Sequence, residues 1–137
     1  LGAETVATDA IYDVPCDVFA PCAVGAVLSP ATVPRLACRA VCGSANNQLL
    51  SAADADRLRD RGILYAPDYV ANAGGAIAFA RLTRDPSAGP DDLMRRVETI
   101  RPILAEILAE AADRGESPLA AAQRRVERAL AAAKPNG

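Results

Sequence analysis

The sequence predicts an α/β protein built on a parallel sheet. Three observations carry the prediction. Short apolar runs recur at Cys16 to Cys22, Arg39 to Gly43 and Ile63 to Ala66, a helical segment fits between each pair, and each run is closed by proline or glycine. Strand, helix, strand, helix, strand at this spacing is the pattern of βαβ units, whose strands run parallel.

Each element has its own local reason. Cys16-Asp-Val-Phe-Ala-Pro-Cys22 reads as a buried strand that ends at Ala20 or Pro21. Val24 to Leu36 is expected to carry a helix, its start blurred by Ser29-Pro30. Arg39-Ala-Val-Cys-Gly43 is the second strand. Ser51 to Arg61 is a polar helix with Ser51 as N-cap, Asp54 three residues on and Gly62 as the stop. Ile63-Leu-Tyr-Ala66 is the third strand, ended by Pro67-Asp68, where Asp68 is placed to cap the next helix.

Beyond Tyr69 the strands stop. Asn72 to Phe79 opens a helical stretch with adjacent glycines near its start, and Arg84 to Pro90 is a loop. Gly89-Pro90-Asp91-Asp92 is a strong helix start, with proline in the first turn and acids on the positive end of the dipole. Leu93, Val97, Ile100, Leu104, Ile107 and Ala111 then form an apolar stripe on one helix face, which Pro102 is expected to kink. Gly115 ends that helix. Ser117-Pro118 starts a last one, striped by Leu119, Ala122, Val126 and Leu130. Residues 1–80 are accordingly assigned to a sheet-bearing part and 81–137 to a C-terminal helical segment.

Composition limits the chemistry. The 137 residues make one domain at most and contain no histidine, and the only lysine is Lys134. That excludes Ser-His-Asp and Cys-His catalysis, histidine metal ligands, and an internal lysine acting as base or Schiff-base former. A net charge of −2 gives no electrostatic footprint for nucleic acid. The longest uncharged stretch, Val18 to Pro34, is interrupted by prolines and is shorter than the roughly 20 apolar residues of a membrane span. Cys16, Cys22, Cys38 and Cys42 make no CxxC pair, so a reduced, cytoplasmic protein is expected. The first residues have no basic region of the signal-peptide kind, and a start at Leu1 suggests a chain that begins inside a longer one.

In open α/β sheets ligands bind beyond the carboxyl ends of the strands. Three segments fall there: Ala20 to Gly25, Gly43 to Gln48, and Pro67 to Gly75. They are rich in glycine, alanine and asparagine, which allow close backbone approach and offer neutral amide hydrogen bonds. Asn46 and Asn47 either cap the following turn or meet a carboxamide or ribose. Cys22 is either a reactive thiol or a small residue packed where a larger one would block a ligand. No G-x-G occurs anywhere, so the phosphate-binding turn of a dinucleotide fold is missing. If the sheet is of the Rossmann type, it is the second half of a doubly wound parallel sheet, followed by C-terminal helices.

Cys16-Asp-Val-Phe-Ala-Pro-Cys-Ala-Val-Gly25, Gly43-Ser-Ala-Asn-Asn-Gln48 and Gly62-Ile-Leu-Tyr-Ala-Pro-Asp-Tyr-Val-Ala-Asn-Ala-Gly-Gly75 together resemble the C-terminal part of the leucine, valine and phenylalanine dehydrogenases, within the glutamate dehydrogenase superfamily. The resemblance covers nearly the whole chain. It implies NAD as cofactor and oxidative deamination of a branched-chain or aromatic L-amino acid to its 2-oxo acid and ammonia. It also implies that Ala20, Pro21, Cys22 and Ala23 lie beside the nicotinamide ribose, and that Asn46 or Asn47 approaches nicotinamide and substrate. Asn72, Gly74 and Gly75 would border the site, with Ala76 and Phe79 lining the side-chain pocket.

The family's catalytic lysine, second substrate-binding lysine and catalytic aspartate belong to an N-terminal substrate domain, and its glycine-rich turn to the first half of the cofactor domain. None is present here. The resemblance therefore implies a portion of an enzyme, inactive alone, with that N-terminal domain as partner and a homo-oligomer as its assembly. The strand Cys16 to Cys22 would then lack its inner neighbour and present an exposed apolar edge. The alternative is a standalone binding or scaffold module that kept half of a cofactor fold and has no catalysis.

Overall fold

The computed structural model describes residues 2–133, so Leu1 and Lys134, both named above, lie outside the described residues. Strands β1 (Val18–Phe19), β2 (Ala40–Val41) and β3 (Leu64–Tyr65) form one sheet in the order β1-β2-β3. All pairs are parallel, with Val18 opposite Ala40 opposite Leu64, and Phe19 opposite Val41 opposite Tyr65. The expected strands are present, each trimmed to two residues.

Side chains alternate across a strand, so this register sorts the residues into two faces. Val41 and Tyr65 are buried, with Phe19 beside them, in a core that includes Leu28, Val33, Leu36, Leu58 and Leu119. On the other face Val18 is 52% and Leu64 44% exposed. A doubly wound sheet is covered on both faces. Among the described residues one face is covered, and the second is met only at its β3 margin, where Leu64 shares a shallow groove with Leu108 and Ala112.

The expected helix over Val24 to Leu36 is not formed. The segment holds a single 3-10 turn, Val33–Arg35, and Leu28 pairs with Leu49 as an isolated parallel bridge. Three local forces oppose a helix there. Ala26 sits at φ 58°, in the left-handed region. Ser29 and Thr32 bond each other and the nearby backbone, with Thr32 Oγ1 donating to the Val27 carbonyl at 2.6 Å. Pro30 and Pro34 remove two backbone donors.

The second connection is helical as expected: α1 spans Ala53–Asp60, and Gly62 follows at φ 69°. Its start is a correction, since Ala52 and not Ser51 is the N-cap. Ser51 instead donates through both its N–H and its hydroxyl to Asp54 Oδ2, each at 2.9 Å. Asp54 is fully buried and is also held by Arg57 at 2.8 Å.

Helices α2 (Asp68–Ala71), α3 (Gly74–Arg84), α4 (Pro90–Val97), α5 (Ile100–Arg114) and α6 (Pro118–Ala133) follow β3 among the described residues. The stripe from Leu93 to Ala111 does not lie on one kinked helix. The chain breaks at Glu98–Thr99, and Pro102 sits in the first turn of α5, where its missing N–H removes no bond. Gly115, at φ 65°, ends α5 as expected. α5 and α6 pair through Ile107, Ala111, Ala121 and Ala122, with Val70 against them. Outside that seam Glu110 receives Arg124 at 3.1 Å and Arg128 at 2.7 Å. Leu119 of α6 reaches the sheet core, and residue 80 falls inside α3.

Candidate functional site

The loops that follow the three strands converge at one end of the sheet. Pro21 is buried beneath Gly43: a Cβ built on Gly43 would lie 2.1 Å from the Pro21 carbonyl oxygen. Only glycine allows that crossing. The Ala45 N–H then donates to the same carbonyl at 2.9 Å. Beside it Cys22 is exposed, and the Ser44 hydroxyl and backbone hold its thiol below the usual range. Ala20 and Ala23 are exposed on either side.

The chain returns over this loop at Gly25, where a Cβ would lie 2.8 Å from the Asn46 and Asn47 carbonyl oxygens. The Ala26 N–H donates to Asn47 O at 2.7 Å, and Asn47 itself takes φ 53°. Neither asparagine caps α1, whose N-cap is Ala52. The two also diverge. Asn46 meets Asn72, whereas Asn47 lines a separate groove with Leu50, Tyr65 and Tyr69.

Asn72 joins the second and third loops. Its Nδ2 donates to the Ser44 carbonyl at 3.3 Å, to the Ala45 carbonyl at 3.4 Å and to Asn46 Oδ1 at 2.7 Å. Asp68 joins them again, and not as the N-cap that was expected: it is the first residue of α2, with Pro67 as N-cap. Its carboxylate accepts from the Tyr69 N–H at 2.7 Å and from the Gln48 N–H at 3.0 Å. Burial, with Asp68 nearby, pushes the phenols of Tyr65 and Tyr69 up, so both stay protonated near neutrality.

α3 sorts the remaining candidates. A Cβ on Gly74 would meet Val97 at 3.4 Å, so Gly74 serves the packing of α3 on α4. Gly75 faces open space, Ala76 is exposed, and Phe79 is 73% exposed. The structure therefore brings Pro21, Cys22, Asn46 and Asn72 together, and it leaves Asn47 and Gly74 facing elsewhere. Sequence reading missed Ser44, Gln48 and Asp68 as members of this cluster. The signal for Gln48 lay in its place within the Gly43 to Gln48 motif.

The segments 20–23, 44–48 and 68–76 carry no basic side chain. No His/Cys/Asp/Glu group among the described residues is arranged to hold a metal ion. What converges is a set of neutral amides, backbone carbonyls, one thiol with the Ser44 hydroxyl beside it, and the Asp68 carboxylate. Such a surface can hydrogen-bond an uncharged polar ligand and orient it, and its one carboxylate, Asp68, already accepts from two backbone N–H groups. An apolar groove of about 320 Å³ lies between Tyr69, Ile77, Ile103, Ile107 and Val126.

The sequence profile of the Glutamate/Leucine/Phenylalanine/Valine dehydrogenase family matches residues 2–133. A leucine dehydrogenase of Bacillus cereus is 39% identical over 135 residues, which is 97% of this chain and 36% of that protein. A valine dehydrogenase of Streptomyces coelicolor is 44% identical over 131 residues, 93% of this chain and 35% of that protein. The crystal structure of L-tryptophan dehydrogenase from Nostoc punctiforme superposes with a TM-score of 0.79 at 36% identity, covering 87% of this chain and 36% of that one. The chain thus spans little more than a third of the length of these relatives.

Proposed function

The chain belongs to the glutamate/leucine/phenylalanine/valine dehydrogenase family, and from that membership we propose that it is the cofactor-facing, C-terminal portion of an NAD-dependent L-amino-acid dehydrogenase. The observation that carries the proposal is the convergence of three strand-end loops on the Asn46–Asn72 amide pair. Ligands of open parallel sheets sit at that end.

The residues present fit one end of the cofactor. Neutral amides on Asn46 and Asn72, and the close backbone at Ala20, Pro21, Cys22 and Ala23, suit a carboxamide and a ribose. Nothing among them suits a pyrophosphate, which needs a glycine-rich turn or cations. When bound, the nicotinamide supplies the two-electron acceptor for oxidation of the amino-acid C–N bond. The chain's own residues orient that ring, with Asn46 and Asn72 donating or accepting at its rim. Gly75, Ala76 and Phe79 present an open face to the substrate side chain, for a branched or aromatic L-amino acid.

The proton of the substrate amine has no acceptor here. Residues 2–133 contain neither histidine nor lysine, and the Asp68 carboxylate is occupied by two backbone N–H groups. We therefore assign the acid/base group to an N-terminal substrate domain and propose that this portion is inactive alone. Residues 1–80 and 81–137 are proposed as the cofactor-domain half and the helical segment. Self-association of the whole enzyme belongs to the same proposal, supported by the exposed Val18, Leu64 and Phe79. No helix among the described residues is long and apolar enough to cross a membrane. Unpaired thiols at all four cysteines support a cytoplasmic setting.

Two measurements test the proposal. The longest natural reading frame containing this chain should reduce NAD with L-leucine, L-valine or L-phenylalanine and release ammonia; no turnover with any of them sinks the enzyme reading. Calorimetry on the 137-residue chain should show no micromolar NAD binding. A well-behaved monomer that binds NAD tightly overturns the claim that the chain is insufficient alone.

A further inference from the structure

Gln48 is fully buried at the strand ends and has no part in the chemistry proposed above. Its Nε2 donates to the Gly43 and Ala45 carbonyls, each at 2.9 Å, which closes the 43–48 loop around the side chain. Both neighbours are acceptors, so the nitrogen must face them and Oε1 must face away. That oxygen is buried without a partner. The backbone of the same residue makes two more ties: its N–H donates to Asp68 Oδ2 at 3.0 Å, and its carbonyl accepts from the Leu28 N–H at 2.9 Å. One residue thus fastens the loops that follow β1, β2 and β3.

The consequence reaches Asn46. The Ala45 carbonyl held by Gln48, together with that of Ser44, turns the Asn72 nitrogen toward the loop. The Asn46 atom 2.7 Å away must then be its oxygen, which directs the Asn46 NH₂ away from Asn72. We infer that Gln48 is a positioning residue: it shapes the 43–48 loop so that the Asn46 amide presents its donor side to the ligand. The ligand's identity as a nicotinamide rests on the function proposed above, while the loop geometry does not.

The test uses the full-length natural protein. Gln48→Met keeps the length of the side chain and removes both donors. We expect kcat/KM for deamination to fall about tenfold or more, mostly through the cofactor KM, as for loss of one or two buried hydrogen bonds. Asn46→Ala should give a comparable loss. In the double variant the further loss beyond Asn46→Ala should be no more than about twofold, because residues acting as one unit are not additive. Losses that multiply, or wild-type kinetics for Gln48→Met, overturn the inference. If Gln48→Met does not fold, Gln48→Leu takes its place in the same cycle with Asn46→Ala, and the same outcomes decide. If the wild-type protein deaminates no amino acid, the function fails separately, and hydrogen exchange decides the positioning. Exchange at the Ala45 and Gln48 amides should then quicken about tenfold in whichever of Gln48→Met and Gln48→Leu folds, as the loop opens locally. Unchanged exchange overturns it.

Discussion

Phe19, Val41 and Tyr65 point to one face of the sheet, and Val18, Ala40 and Leu64 point to the other. The first set is roofed by the 3-10 turn at Val33–Arg35, by α1 and by Leu119 of α6. The second set leaves Val18 and Leu64 about half exposed. The two faces have similar apolar character in sequence and opposite surroundings in the fold. A parallel sheet with one dry face and one open apolar face has a surface made for a further layer. The strand-end site lies at the rim between the two faces, so its framework is anchored on one side and open on the other.

Core truncation probes this asymmetry most strongly. Leu58→Ala, on the roofed side, should cost about 2–5 kcal/mol in urea unfolding, the range for a fully buried leucine. Leu64→Ala on the open face should cost under about 1 kcal/mol in the same chain. Equal losses would mean that the open face is covered in solution.

Glycines give the next contrast. Gly43→Ala drives a methyl into the Pro21 backbone and should destabilise by about 2 kcal/mol or more, since backbone must move. Gly75→Ala meets open space in the first turn of α3 and should be neutral or stabilise by up to about 1 kcal/mol. Thermal unfolding of both variants decides whether the strand-end crossing is as tight as its geometry states.

Thiol chemistry separates the rim from the roofed side more gently. The Ser44 hydroxyl holds the Cys22 thiol down, and burial, with Cys16 nearby, holds the Cys38 thiol up. The thiolate reacts, so iodoacetamide labelling of Cys22 should rise at lower pH than labelling of Cys38. Mass spectrometry across roughly pH 6 to 9, the span below and around an ordinary thiol, reads the order directly. A reversed order would remove the Cys22–Ser44 contact from the site.

The smallest effect is expected on the helical pair. Arg128 and then Arg124 hold the Glu110 carboxyl below the usual range by hydrogen bonding. A depressed folded pKa adds stability above the ordinary carboxylate range and loses it as pH falls. Glu110→Gln should therefore lower Tm slightly at neutral pH, with the difference closing in acid and in high salt. A constant difference would show that the α5–α6 seam, and not the charge, sets the effect.

Periodicity and punctuation made β1, β2, β3, α1, α4 and α6 legible, because each is bounded by proline, glycine or a cap whose backbone preference is local. The segment 24–36 is not helical because its hydroxyl pair and the left-handed Ala26 compete with helix residue by residue, which an apolar count does not register. Pro102 kinks nothing because the chain breaks at Glu98–Thr99, a break that the smoothly continuing stripe does not register. Of the candidate site, the three loops were recognisable from their glycines and asparagines. Which asparagine faces the cluster was not, since neighbours in a loop share composition and differ only in φ.

Residue types and short-range spacing were enough to establish the order of the three strands and the helix between the last two, the absence of histidine and internal lysine, and the amide-rich character of the strand ends. Tertiary contact was needed to choose Asn46 over Asn47 as the partner of Asn72, to pack Gly74 on Val97 while leaving Gly75 open, and to make one sheet face dry. These outcomes depend on contacts between residues far apart in the chain. No local preference encodes them, because the amide pair and the dry face need β1, β2 and β3 side by side and the glycine contact needs α3 packed on α4.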